Sequence, residues 1–413
     1  MFGLKPAVRM HLVAICALLV ACDLSSAATA GPAACRPLAA PIGRIIDVGP
    51  AQAERLPSIL RGVPPGATVR LRAGRYRVRD PAGLELARPG LTLRSRSGDP
   101  RSVVIDGGYG PSALVRAAAS GVTIAEVTLT RARDHLVHAV PPERRRSIEQ
   151  LRIHRVRLVD SGEQFVKANP NASRTGWVHR SRIECSGFSM TGVGRRNIER
   201  AFGCYTGGID AHGARDWHVR RNRFQGIYCE DGEVAEHAVH FWRRSRGTVV
   251  ENNLILNCSR GIGFGLTAGG DDGHTGGVIR RNAVVAGVRQ YDTGIELANS
   301  AAVRVLHNTV AETASATRAF SSLDVRFPRS SGLIANNLVR RITFRDGGSA
   351  RLLRNIGGFP LGWLRAAARG DVHLRAGAGA VNSAAPVAGD GRDLDGAARP
   401  RGRPDVGADE LGR

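Results

Sequence analysis

His218-Val219-Arg220-Arg221-Asn222-Arg223-Phe224 and, 31 residues later, Val249-Val250-Glu251-Asn252-Asn253-Leu254-Ile255 are copies of one unit: a short alternating strand, an Asn, then another short strand. The unit returns at Val278–Val284 around Asn282, at Val303–Val310 around Asn308 and at Leu333–Val339 around Asn337. Successive Asn residues stand 31, 29, 26 and 29 positions apart. Upstream copies carry Val127, Val156 and Ser181 at that point. A period in the twenties or low thirties with strand-type alternation is the mark of a solenoid. The recurring Asn has a physical reason: it tolerates the left-handed conformation of a tight turn, and stacked Asn side chains can hydrogen-bond along the repeat axis. No sustained i, i+3, i+4 apolar pattern supports a helical alternative.

Composition agrees. Aromatics are 5% of the 413 residues while Gly numbers 51, so the core stacks small and branched side chains. Lys plus Arg number 59 against 36 Asp plus Glu, a formal net charge of +23, and the only lysines are Lys5 and Lys167. Such a balance suits a polyanionic partner. The N-terminus narrows the choice. Lys5 and Arg9 precede an apolar run, Leu12–Ala21, too short to span a bilayer and suited to export. Leu19-Val20-Ala21-Cys22 fits a lipobox, which would place a lipid on Cys22, and Ala28-Thr29-Ala30 fits ordinary cleavage. Residues 1–30 are therefore expected to be a signal peptide and 31–47 a linker. The mature chain is expected in the periplasm, on the outer membrane or outside the cell, with an anionic polysaccharide as partner. Nucleic acid is not expected, membrane contact would come only through Cys22, and the chain should be a monomer. Among the remaining cysteines, Cys185 with Cys204 and Cys229 with Cys258 are the plausible disulfides, leaving Cys35, although four cysteines allow three connectivities. No CxxC pair is present, and zinc is not expected.

Pro64-Pro65-Gly66-Ala67-Thr68-Val69-Arg70-Leu71-Arg72-Ala73-Gly74-Arg75-Tyr76, Leu91-Thr92-Leu93 and Val103-Val104-Ile105-Asp106-Gly107 resemble the opening coils of the right-handed parallel β-helix, or pectin-lyase-like, superfamily. Asp393-Leu394-Asp395-Gly396 and Pro404-Asp405-Val406-Gly407-Ala408-Asp409-Glu410 are similar to tails of its secreted bacterial members. The resemblance implies an all-β solenoid of about 9–11 coils over residues 48–360. A capping helix at Gln52–Leu60 and a C-terminal capping tail over 361–413 complete it. This fold hosts lyases, hydrolases, epimerases and inert adhesins, so it does not fix the reaction.

Each coil should hold three strands, with the Asn turn between the second and third. Aligning the inward residues Val137, Val166, Ile209, Val239, Ile262 and Ile295 of the first strands puts the next residue outward. The outward column reads His138, Lys167, Asp210, His240, Gly263 and Glu296, and a second column holds Asn169, His212, Trp242 and Gly265. Lys167, Asp210, His212 and His240 are the catalytic candidates. Asn169, Tyr205, Trp242, Arg243, Arg244, Gly263, Gly265 and Glu296 are the substrate-binding candidates, with Trp242 as a stacking platform and the glycines as an open floor. Long insertions at Ser186–Tyr205 and Thr267–Gly277 flank the patch. No cofactor is required. A Ca2+ ion near Asp271 and Asp272 is the one metal option raised, without an established ligand set.

A lysine kept where arginine otherwise prevails fits a base whose proton can be lost. This resembles the Lys-dependent chondroitinase B and alginate lyase branch, except that Asp210 stands where that branch would have Arg. The Asp210-x-His212 pair instead resembles uronan C5-epimerases. The resulting expectation is β-elimination at a uronate, with an epimerase or glycosidase as the alternative and a non-catalytic glycan-binding solenoid as the third reading. Asp210 and Glu296 are three rungs apart, roughly 14 Å at strand spacing, which is too far for a glycosidase pair.

Overall fold

The computed structural model describes residues 35–144 and 147–412. The signal peptide and Cys22 lie outside them. Three parallel sheets run the length of the molecule and hold 10, 12 and 11 strands. Each coil contributes one strand to each sheet in turn, as in Ile209–His212, His218–Arg220 and Arg223–Gln225. The chain is a right-handed parallel β-helix, closed at its N-terminal end by a 3-10 turn, Pro50–Arg55, running into helix α1, Leu56–Gly62. Among the described residues no helix is long and apolar enough to cross a membrane.

The interior is built by stacking like on like. Ile209, Val239, Ile262, Ile295 and Leu323 pair rung to rung on the first sheet. Val219, Val250, Ile279, Val305 and Ile334 do so on the second. All are fully buried. Each such side chain removed from water contributes about 1.5–3 kcal/mol. Aromatics stack in the same way: Phe188 lies on Phe224 with centroids 4.3 Å apart.

Asn222, Asn253, Asn282, Asn308, Asn337 and Asn355 form one ladder along the turn between the second and third sheets. Each Oδ1 accepts both the backbone N–H and the side-chain N–H of the Asn one coil earlier, as Asn282 does from Asn253 at 3.1 and 2.9 Å. The second N–H of each amide caps a carbonyl of the preceding coil, such as Asn282 to Val250 at 2.9 Å. The left-handed residue of the turn is not this Asn but its predecessor: Arg221, Asn252, Arg281, His307, Asn336 and Arg354 all have φ between 48° and 58°. The inward Asn is thus selected for its amide, not for its φ. In the upstream coil the ladder position is Ser186, not Ser181, because Arg182–Glu184 is the second-sheet strand there and Ser186 N–H donates to Asn222 Oδ1 at 3.0 Å.

Three further features differ from expectation. The disulfides are Cys35–Cys185 and Cys204–Cys229, and Cys258 is free and buried. The insertion at Ser186–Tyr205 contains a third-sheet strand, Gly187–Ser189, and helix α2, Gly192–Phe202, whose N-cap Thr191 accepts from Val193 and Gly194 N–H. Residues 35–39 are strapped to the flank: Glu126 accepts from Leu38 N–H, and Arg94, paired with Glu126, donates to the Leu38 and Ala39 carbonyls.

The C-terminal segment folds back along the outside of the third sheet. Leu364, Val372, Leu374 and Val406 pack on Leu254, Leu256, Val285 and Leu338, while Arg281 pairs with Asp390. Within it His373 bridges Asp395 and Asp371, 2.7 and 2.6 Å away. The hydrogen bond to Asp395 leads in raising its pKa from 6.5 to about 9, partial burial opposing it and Asp371 adding to it.

Two outcomes follow. Asn282→Ala leaves its neighbours' buried amide and carbonyl unpaired and lowers stability by about 3 kcal/mol, measured by denaturant unfolding. Asn355→Ala, at the half-buried end of the ladder, costs less, and equal losses would contradict the ladder's role. His373 contributes stability that is complete below pH 6.5 and is lost as pH rises through about 9. Hydrogen exchange of residues 361–412 should accelerate across that window and lose this dependence in His373→Gln.

Candidate active site

On the first sheet Lys167 lies beside His138, Asp210 beside Lys167, His240 beside Asp210, Gly263 beside His240 and Glu296 beside Gly263. His212 lies beside Trp242. The six candidates of the outward column are therefore successive rungs of one sheet.

Although they point away from the lumen, these groups are not all at the surface. Lys167, Asp210 and His240 are only 6%, 6% and 3% exposed, because side chains of neighbouring coils and loops close over them. Asp210 is the hub. Its Oδ2 pairs with Lys167 Nζ and lies 3.4 Å from His212 Nε2; its Oδ1 accepts from Trp242 Nε1 at 2.7 Å and lies 3.8 Å from His240 Nδ1. Burial pushes the Asp210 carboxyl up, but His212, Lys167 and His240 together outweigh it and hold the carboxyl far below the usual range. Burial pulls Lys167 down, but the Asp210 carboxylate, aided by Tyr205, raises it above the ordinary lysine value. Lys167 is thus an ammonium clamped to a carboxylate. Burial lowers His240 to about 4, and its Nε2 bonds the Gly265 carbonyl at 2.9 Å.

The groups facing outward are those around this hub. Tyr205 is half exposed and interacts with Lys167. His212 is partly exposed, its Nε2 directed at Asp210. The Asp210 carboxylate thus stands beside the His212 imidazole at ion-pair distance, without a hydrogen bond to the buried Nε2. Trp242 braces the cluster. It bonds Asp210, stacks on His240 at 5.8 Å, meets the His212 edge at 4.5 Å, and carries the Arg243 guanidinium 5.1 Å from its ring. Asn169 Nδ2 reaches His138 Nε2 at 3.3 Å.

Other candidates stand apart or serve the backbone. Arg244 pairs with Asp271, both exposed, and Asp272 accepts from Thr267. Glu296 is held by His237 at 3.0 Å, with Arg326 at 3.7 Å. Its carboxyl is lowered to about 2, burial opposing and His237 dominating the favourable contacts. The glycines are not an open floor. A Cβ on Gly263 would stand 2.6 Å from Nε2 of the His237 ring, and one on Gly265, with φ +72°, would stand 1.7 Å from the Ala298 carbonyl oxygen. His237 itself escaped the alternation argument, because it sits three residues before His240, off the outward register. The run of glycine opposite it, at Gly263, was the available signal.

The Lys167–Asp210 pair makes a stability prediction separate from any reaction. Lys167→Ala strands a buried carboxylate and costs about 3–5 kcal/mol. Lys167→Ala combined with Asp210→Asn recovers part of that loss in denaturant unfolding, and a double variant no better than the single would show that the pair is not coupled.

No family model matches the chain, and no curated protein matches it in sequence. Among solved structures it is similar to pectate lyase Pel9A, with a TM-score of 0.62 at 12% identity over 90% of this chain and 97% of that one. It is also similar to an alginate lyase from Paenibacillus sp. str. FPU-7, with a TM-score of 0.52 at 14% identity over 76% and 94%. At these identities the likeness concerns architecture: this chain shares the parallel β-helix fold with both.

Proposed function

We propose that the protein processes a uronate-containing anionic polysaccharide by removing the proton at C5, with β-elimination as the outcome. The observation that carries this reading is the buried Lys167–Asp210 pair with His212 and Tyr205 at its outer edge. It supplies a base and a proton donor side by side. In this reading His212 Nδ1 takes the C5 proton. Lys167, fixed as an ammonium, lends positive potential to the developing enolate, and Arg243 meets the uronate carboxylate, which acidifies C5–H. The C4–O4 bond then breaks, and Tyr205 gives its proton to the departing oxygen. Lys167 acts as a cation, not as the base. The two disulfides support an exported protein, and we take it to act as a monomer on extracellular or envelope glycans, not on nucleic acid.

A C5-epimerase is the second reading. It is favoured by one feature: His212 comes from the strand and Tyr205 from the loop before it, so base and acid approach from different segments.

The test is incubation with alginate, polygalacturonate, hyaluronan, chondroitin and heparin-type chains, following ultraviolet absorbance of unsaturated uronates and solvent deuterium at C5. A lyase gives absorbance; an epimerase gives deuterium without it. His212→Gln and Tyr205→Phe should each lower turnover by about 10²–10⁴-fold. Neither signal across the panel would leave a glycan-binding solenoid as the better account.

A further inference from the structure

Overlapping the hub at His240 is a second cluster. Glu236, His237 and His240 each place a ligand-type atom within 4.8 Å of the other two. His237 is 1% exposed. Its Nε2 faces the Glu296 carboxylate at 3.0 Å, which fixes the ring proton on Nε2. Its Nδ1 is then a lone pair, and it is buried with no hydrogen-bond partner. His240 repeats the pattern. Its Nε2 must donate to the Gly265 carbonyl, 2.9 Å away, so in the neutral ring Nδ1 is also a lone pair, and it faces a carboxylate oxygen of Asp210 at 3.8 Å. A buried lone pair without a donor is costly. The unpartnered His237 Nδ1, with the Glu236 carboxylate and the His240 ring beside it, asks for a cation.

The outer contacts are those of ligating histidines, which hand their other N–H to a carboxylate or a backbone carbonyl. Glu296 and Gly265 play those parts here. Gly263 adds a steric reason: its missing side chain lets the His237 ring lie across that rung. Asp210 is already engaged by Lys167 and Trp242, so it is not counted among the ligands.

We infer that Glu236, His237 and His240 form a binding site for a divalent transition metal of the zinc type, held by two imidazoles and one carboxylate with a coordination position left open. Two nitrogens and one oxygen suit zinc or cobalt(II), and not the all-oxygen shell that calcium prefers. The inference stands on these side chains and does not rest on the reaction proposed above.

The experiment titrates chelator-treated full-length mature protein with Zn(II) and, separately, Co(II), by calorimetry and visible absorption. One equivalent should bind, with Co(II) bands of a low-coordinate nitrogen–oxygen site and no competition from excess Ca2+. Glu236→Gln, at a partly exposed position that spares the core, should remove most of the affinity, as should His237→Ala. Glu296→Gln, which only orients His237, should weaken binding by about 10–100-fold. Folding of each variant is verified by circular dichroism. Absence of binding by the folded wild type, or binding unchanged in folded Glu236→Gln, would overturn the assignment. So would binding that survives His237→Ala but is lost in Asp395→Ala, which would move the ion to the His373–Asp395–Asp409 group of the tail. The readout is metal occupancy, so a silent activity panel and a failed metal site are separate results.

Discussion

From Asn222 onward the fold depends on the Asn ladder. Closing a coil needs a sharp turn between the second and third sheets, and a turn at that radius forces one residue to positive φ and points a polar group inward. Left unpaired, that inward group would burden every coil. Stacked in register, each amide oxygen accepts from the backbone and side-chain N–H of the Asn one coil earlier, and each amide N–H caps a carbonyl of that earlier coil. The first sheet keeps its own rung-to-rung pairing beside the ladder, and there Lys167, Asp210 and His240 lie on adjacent rungs. The strained turn residues, half of them Arg, are tolerated because the ladder makes each of them part of a repeated lattice.

That chain of dependence explains what could be read from the residues alone. The period of the Asn units and the β alternation were enough to place His138, Lys167, Asp210, His240, Gly263 and Glu296 in one column, since every inward residue of the first strands is Val or Ile. Depth was not legible. An outward residue on an isolated strand is exposed, but Lys167 and Asp210 are covered by neighbouring coils and loops, and their mutual pairing turns the lysine from a candidate base into a fixed cation. The ladder position in the coil around Ser186 was misplaced by five residues, because that Ser bonds as Asn does while Ser181 merely resembles it in spacing.

Other features had no local signal. The Cys35–Cys185 and Cys204–Cys229 connectivity reflects how the N-terminal strap crosses the flank, which no spacing rule encodes. His237 stands two residues before inward-facing Val239, so alternation assigns it to the interior and away from the site. Gly263 and Gly265 read as openings when only their small size is considered. Structure shows the opposite: one is filled by an imidazole, and the other is held by a positive φ and a carbonyl.

The Cys204–Cys229 bond has a consequence of its own. Tyr205 follows Cys204 directly, so the loop that presents the phenol beside Lys167 is covalently tied to the loop leading into His237–Trp242, the strand that supplies His240 and Trp242. Lys167, Asp210 and the solenoid do not need that tether. Reduction of this bond would therefore cut the covalent link between the segment carrying the phenol and the one leading to His240 and Trp242.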